Sequence, residues 1–182
     1  PEATELYSKD YPLDVKADIA KEIPLKNQTV DTVLLLMVLE HVPQPSAALG
    51  EIYRILKPGG ELILSTVMTH PVHDAPYDFY RYTRFGIASL LEKNDFELVE
   101  LGWEGASIET AVTILNTTFF QHIKKFAGAK VWLPSVLLIS LIAWPIGIAL
   151  NLIALILAPL DTMHQLPHTV WAVARRPEHR HE

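Results

Sequence analysis

The densest concentration of reactive side chains in the sequence is His70-Pro-Val-His73-Asp74-Ala-Pro-Tyr77-Asp78-Phe79-Tyr80-Arg81-Tyr82-Thr83, where imidazoles, carboxylates and phenols share fourteen residues. Such a loop suits removal of a proton from a weakly acidic group, and His70, His73 and Asp74 are the candidate bases. The spacing of His70 and His73 is also compatible with a metal ion, but Pro71 and the lack of a third strong ligand nearby favour no metal. Arg81 is placed either to pair with Asp78 or to cap the next helix. His164 and His168 read as loop residues, and His179 and His181 as a solvated tail. The chain contains no cysteine, which excludes thiol catalysis, disulfides and thiolate zinc sites.

The elements that position this loop follow from apolar patterning. Val15 to Ile19 is a short alternating run suited to a strand, followed by a loop through Ile23-Pro24-Leu25 to Thr29. Val30 to Met37 is a continuous apolar run, the pattern of a strand buried on both faces of a parallel sheet. Ser46 is placed to cap a helix over Ala47 to Leu56, with Leu49, Ile52, Tyr53 and Leu56 facing in and Glu51 and Arg54 facing water. Lys57-Pro58-Gly59-Gly60 stops it, Glu61 to Val67 is the next strand, Thr83-Arg84 starts a helix through Leu91, and Phe96 to Leu101 is a further strand. Residues 104 to 125 read as helix, and Thr169 to Ala174 as a final strand. This alternation predicts an α/β layered sheet with right-handed crossovers.

Three segments resemble the class I S-adenosylmethionine-dependent methyltransferases, in the type-11 group that includes quinone-biosynthesis enzymes. They are Ala17-Asp18-Ile19 with Ile23-Pro24-Leu25, then Val30-Asp31-Thr32-Val33-Leu34-Leu35-Leu36-Met37-Val38-Leu39-Glu40-His41-Val42, then Glu51-Ile-Tyr-Arg54-Ile-Leu56-Lys57-Pro58-Gly59-Gly60-Glu61. The resemblance implies a Rossmann-like methyltransferase sheet of parallel strands with one antiparallel strand and a hydrophobic helical insertion. It divides the chain into a core over 1–103 and 169–177 that lacks its first βαβ unit, and an insertion over 104–168. It also implies S-adenosylmethionine as cofactor, with Asp18 and Ile19 at the adenine and Leu36 and Met37 presenting backbone to the methionine part. His41 either contacts cofactor or substrate or braces the following turn. Asp18 taken alone reads rather as a cap or turn residue. The family's glycine-rich loop and ribose-binding acid are missing from these residues, so the chain reads as the later part of a longer enzyme or, alternatively, as a non-catalytic module of the same shape that anchors partners at a membrane.

Charge and hydropathy bound the partners. The net charge is −6, so no basic field is available and nucleic acid is excluded as the main ligand. All 36 charged residues lie outside Val131 to Leu160, a block of 30 residues interrupted by Pro134, Pro145-Ile-Gly147, Asn151 and Pro159. If the chain bends at Pro145 and Gly147, each arm of about 14 residues is ~21 Å long, too short for a ~30 Å hydrocarbon core. The block therefore reads as a shallow membrane-associated hairpin beside the substrate mouth. It would deliver a small or lipid-like acceptor, with Lys124, Lys125 and Lys130 at anionic headgroups. The alternative is a cap buried against residues 106 to 123 or a second subunit. The implied location is cytoplasmic, peripheral or monotopic on a membrane, and the sequence leaves the oligomeric state open.

Overall fold

The computed structural model of the chain describes residues 17–128, 133–162 and 164–178. Lys130, His179 and His181, and the first two residues of the strand expected over 15–19, lie outside them. The chain divides into two compact units: Pro1–Val67 with Val72–Trp103 and Thr169–Glu182, and Met68–Pro71 with Glu104–His168.

The first unit is a four-stranded sheet in the order β1-β2-β4-β3, built from β1 (Val30–Leu36), β2 (Leu56–Val67), β3 (Glu97–Glu104) and β4 (Thr169–Arg175). β1 and β2 are parallel, and β4 enters antiparallel to β2. Helices α1 (Pro45–Ile55) and α2 (Arg84–Glu92) make the connections from β1 to β2 and from β2 to β3. The last strand thus returns between its two predecessors, giving the mixed sheet that the resemblance implies. On the covered face large residues of β2 oppose small residues of β4: Leu62 pairs with Ala174 and Leu64 with Ala172, all fully buried. Leu49 and Ile52 of α1 and Ile87 and Leu91 of α2 complete this core, each buried aliphatic side chain contributing about 1.5–3 kcal/mol.

One reversal and one close contact set the geometry. Gly59 adopts φ +76° between α1 and the body of β2, a conformation that costs a side-chain-bearing residue about 1 kcal/mol or more. Arg176 closes the same corner, donating from Nη1 to the carbonyls of Tyr53 and Leu56, each at 2.8 Å, with its guanidinium 4.6 Å above the Tyr53 ring. These bonds satisfy carbonyls at the end of α1 that no helical N–H reaches. Gly102 of β3 lies against the indole of Trp171, and a Cβ placed there would overlap the ring. Gly102→Ala is therefore expected to destabilise the first unit by about 2 kcal/mol through overpacking, seen as a lower midpoint in urea unfolding with the m-value unchanged.

Several expectations are corrected. The run Val30–Met37 is not covered on both sides among the described residues: Leu35 is buried, while Leu34 and Leu36 are exposed. Helix α1 starts at Pro45 with Gln44 at its N-cap, so Ser46 is inside the first turn; Pro suits that position because its missing N–H is one the helix does not use. Ile19 stands in a turn that an isolated bridge from Asp18 to Glu22 closes, where a strand was expected. Glu51 and Arg54 do not face water but grip a loop, as described below.

The second unit pairs two helices, α3 (Ser107–Gly128) and α4 (Leu133–Leu157). The expected bend at Pro145 is absent: α4 is one helix of 25 residues with Pro145 inside it, about 37 Å long. A proline removes one i to i−4 bond, and with a dozen helical residues on each side the remaining ladder carries the helix through. The hairpin thus consists of α3 and α4, not of two halves of the apolar block. The faces of α4 are sorted in an unusual way. Gly147 and Ala154 are buried and Ser140, Ala143, Leu150 and Ala158 half-buried, a mostly small-residue stripe that the three-to-four spacing puts on one side. Leu138, Leu141, Ile142, Trp144, Ile148 and Leu155 are among the large residues turned outward, each more than half exposed. Close approach along the stripe lets Asn116 of α3 reach the Gly147 carbonyl, which also accepts from Asn151 at 2.9 Å.

Candidate active site

At the carboxyl ends of the parallel strands β1 and β2 the chain turns through Leu39–His41 and presents Glu40 and His41 together. This edge is where open α/β sheets hold ligands. The Glu40 side chain is fully buried. One carboxylate oxygen accepts from the Thr66 hydroxyl of β2 at 2.8 Å, and Oε1 has no hydrogen-bond partner. A buried carboxylate oxygen without a donor is costly, which marks this point as one where a further group belongs. The Glu40 carbonyl also anchors the loop that follows β2, accepting from Phe79 N at 3.0 Å and Tyr80 N at 3.2 Å.

That loop brings His73 to His41, with ring centroids 4.8 Å apart in an edge-on arrangement. Nδ1 of His41 lies 2.7 Å from the Tyr77 carbonyl. Because a carbonyl only accepts, Nδ1 carries the proton, and Nε2 of the neutral ring is left with a lone pair. Nitrogen and oxygen ligand atoms of Glu40, His41 and His73 lie within 4.8 Å of one another, a donor set able to take a proton or, against the expectation of no metal, a divalent cation.

Asp78 holds the loop. Its side chain is 2% exposed and binds the Arg81 guanidinium through two contacts of 2.6 and 2.7 Å. It accepts the His73 backbone N–H at 2.9 Å and approaches Nδ1 of the same residue at 3.4 Å. The Arg81 bonds hold its carboxyl well below the ordinary range despite burial. Thr83 leaves Arg81 free for this pairing by capping α2 itself, its hydroxyl accepting from Gly86 N at 3.1 Å. The Tyr82 hydroxyl is buried, and burial raises its pKa above the ordinary phenol value, so it keeps its proton and is no base.

Of the three bases proposed from sequence, only His73 joins this cluster. Asp74 is exposed at φ +51° and heads a tight turn, its carbonyl accepting from Tyr77 N at 3.0 Å. His70 belongs to the second unit, where its ring packs edge-on to His168 with centroids 5.3 Å apart. The residue the sequence reading left unassigned was Glu40. Its signal was present: one acid inside Met37-Val-Leu-Glu40-His-Val42, after an apolar run and directly before His41.

The residues assigned to the cofactor occupy the same unit. Met37 follows β1 at φ +54°, an uncommon conformation for a residue with a Cβ, and donates its N–H to the Ser65 carbonyl at 2.9 Å. Leu36 and Met37 are exposed at this strand end, free to line a bound group. Asp18 spends one oxygen on Ala20 N at 3.0 Å and pairs the other with Lys21 at 3.2 Å, yet stays half exposed. The loop after Asp18 is clamped by α1. Arg54 binds both oxygens of Glu51 and donates to the carbonyls of Ile23 and Leu25, both at 2.8 Å, and to Asn27 at 2.7 Å. Glu51 in turn accepts Ile23 N at 2.9 Å. Helical periodicity alone cannot tell such a clamp from a solvated ion pair. The exposed edge and accessible carboxylate fit the adenosyl and methionine parts that the resemblance implies.

Residues 1–64 match the family model of a methyltransferase domain. The chain is 39% identical over 64 residues to the ubiquinone biosynthesis O-methyltransferase of Pseudomonas savastanoi pv. phaseolicola, a match covering 35% of this chain and 26% of that protein. The match to the methyltransferase domain thus lies in residues 1–64, 35% of the chain. The matched part spans about a quarter of the length of the curated relatives. In structure it is similar to the [4+2]-cyclase SpnF, with TM-score 0.54 and 16% identity over 90% of this chain and 55% of that one. It is also similar to a Haloferax volcanii complex with the Trm112 methyltransferase activator, with TM-score 0.53 and 17% identity over 91% of this chain and 61% of that one. At such identities these two show the shared α/β Rossmann-like fold. The three motifs form the clamped loop, the end of β1 and the α1-to-β2 reversal. Arg54→Ala is expected to loosen the clamped loop and weaken S-adenosylmethionine binding by about tenfold, read by calorimetry with the full-length protein.

Proposed function

We propose that the protein transfers a methyl group from S-adenosylmethionine to a hydroxyl of a small hydrophobic, quinol-like acceptor at a membrane surface. The cluster of Glu40, His41 and His73 at the carboxyl ends of β1 and β2 carries the proposal. Bound S-adenosylmethionine supplies an electrophilic methyl on a sulfonium; Asp18 and Ile19 would hold its adenine side and Leu36 and Met37 its methionine side. The acceptor hydroxyl loses its proton to Nε2 of His41, the O–H bond breaking as the N–H bond forms. The Tyr77 carbonyl keeps the ring in the competent tautomer throughout. The buried carboxylate of Glu40 stabilises the imidazolium so formed, and Asp78 holds His73 beside it. An O-methyl acceptor is favoured because the ubiquinone biosynthesis relatives are O-methyltransferases by name.

The membrane part rests on α4. Leu138–Leu160 is long and apolar enough to cross a bilayer, and only 17% of it is buried. Its exposed residues occupy an arc of about 240° at 100° per residue. A partner helix or second subunit covers one stripe of a helix, whereas lipid covers every side that α3 does not. Small residues inward and large residues outward is also the sorting found between helices in lipid. α3 follows β3 and α4 leads to β4, neighbours in one sheet, so a single crossing is impossible. With Lys125 in the last turn of α3 and Lys124 and Lys130 close to it in sequence, the hairpin lies in the interface with these lysines for anionic headgroups.

Calorimetry of the full-length protein with S-adenosylmethionine, followed by transfer of labelled methyl to a short-chain catechol, tests the chemistry. Saturable binding and labelled methyl ether are expected; no binding would overturn it and favour a non-catalytic anchoring module. Flotation with vesicles containing anionic phospholipid tests the location. Co-flotation is expected, and a monodisperse protein that stays in the soluble fraction would overturn the membrane part.

A further inference from the structure

Within the second unit, between the first turns of α3 and the last turns of α4, lies a cavity of about 410 Å³ lined in part by Glu109, Thr110, Asn151, Ala154, Leu155 and His168. Thr110 is 2% exposed, and its hydroxyl has no hydrogen-bond partner. A buried hydroxyl left unpaired loses about 1–3 kcal/mol against one that is satisfied, so a ligand hydroxyl that reaches Thr110 gains a bond this residue does not otherwise make. Asn151 is the one side chain with an amide or hydroxyl between Leu141 and Leu157, and it lines this cavity. Its amide nitrogen already serves the Gly147 carbonyl at 2.9 Å, which leaves its oxygen as acceptor. Glu109 uses one oxygen on Ala106 N at 3.1 Å and keeps the other.

The chemistry of the wall selects the ligand. Carboxylate, carboxamide oxygen and threonine hydroxyl offer acceptors, so the ligand brings hydroxyl donors. Among the described residues no lysine or arginine lines the cavity, and Glu109 repels an anion, so the wall disfavours phosphate-bearing headgroups. Burial, reinforced by His70, lowers the pKa of His168 and keeps its ring neutral near pH 7. On the other side Ala154 and Leu155 lead to the outward apolar residues of α4.

We propose that this cavity binds the uncharged, hydroxyl-bearing head of a single-tailed amphiphile, a phenol or quinol with an alkyl chain, whose tail lies along the outward face of α4. The biological sense of this site rests on the acceptor class proposed above, but its occupancy needs neither methyl donor nor turnover.

The test uses full-length protein in nanodiscs, titrated with 4-octylphenol and, separately, with octyl phosphate of the same tail length, in the absence of S-adenosylmethionine. Saturable binding of 4-octylphenol is expected, at least about tenfold tighter than octyl phosphate. Thr110→Val and Asn151→Leu should each weaken the phenol by about five- to tenfold and leave octyl phosphate unchanged. Equal affinity for the two amphiphiles, or wild-type phenol binding in both variants, would overturn the site. If phenol binding behaves as expected while S-adenosylmethionine fails to bind, the methyl-transfer reading falls and this site stands. If methyl transfer proceeds with an unchanged KM in both variants, the site falls and that reading stands.

Discussion

His41→Asn is expected to lower kcat by two to three powers of ten, the range of a lost general base, and to leave S-adenosylmethionine affinity within about twofold. The substitution separates two roles of one ring. An asparagine amide can still donate to the Tyr77 carbonyl, which His41 Nδ1 meets at 2.7 Å, so the loop stays anchored. It has no basic nitrogen, so the acceptor proton has no destination inside the site. Two readouts belong together. The kcat falls while cofactor affinity holds, and an acceptor with a more acidic hydroxyl recovers part of the lost rate, because it needs less help to ionise. A loss of cofactor affinity equal to the loss of kcat would show that His41 binds the donor, one of the roles that the resemblance leaves open. His73→Asn should cost less, since His73 touches the cluster from its rim and its backbone, which carries the bond to Asp78 at 2.9 Å, is unchanged.

Much of the sheet is legible in the sequence because each element carries a local signal. The Lys57-Pro58-Gly59-Gly60 reversal announces itself through residue types, and Thr83 caps α2 where a threonine ahead of an amphipathic run should. The placement of the last strand between its two predecessors comes from the family resemblance, because no local pattern encodes strand order. What stays hidden depends on partners distant in sequence. Glu51 and Arg54 sit at polar helix positions, and only the arrival of residues 23–27 turns them from a solvated pair into a clamp. His70 and His73 look like a pair at their spacing, yet His73 finds its partners in Glu40 and His41, more than thirty residues earlier, while His70 belongs to the other unit. The apolar block misleads for a different reason. Proline is read as a stop, whereas α4 runs on through Pro145 with one ladder bond fewer and buries its small residues instead of its large ones.

The largest stability effect is expected from Asp78→Asn, about 3–4 kcal/mol in urea unfolding at pH 7, the size found when one partner of a buried ion pair is removed. Asp78 is 2% exposed, and Arg81 is 28% exposed, so the guanidinium left behind regains little water. Asparagine offers one acceptor where the guanidinium fork uses two, and the amide group that replaces the second oxygen points donors at donors. The pH dependence checks the cause. Arg81 depresses the carboxyl in the folded state below its model-compound value of 3.8, so the unfolded chain binds the proton more readily. The stabilisation is therefore fully present above about pH 5 and is lost as pH falls through 4 toward the lower folded-state value. Wild type and variant should differ most near neutrality and converge on acidification. A constant gap between them from pH 7 to pH 3 would mean that Asp78 acts by shape and not by charge. Because the same carboxylate holds the His73 backbone, the variant should also lower kcat more than it raises the KM for the acceptor: the loop loosens around the base while the apolar surface that gathers the acceptor stays in place.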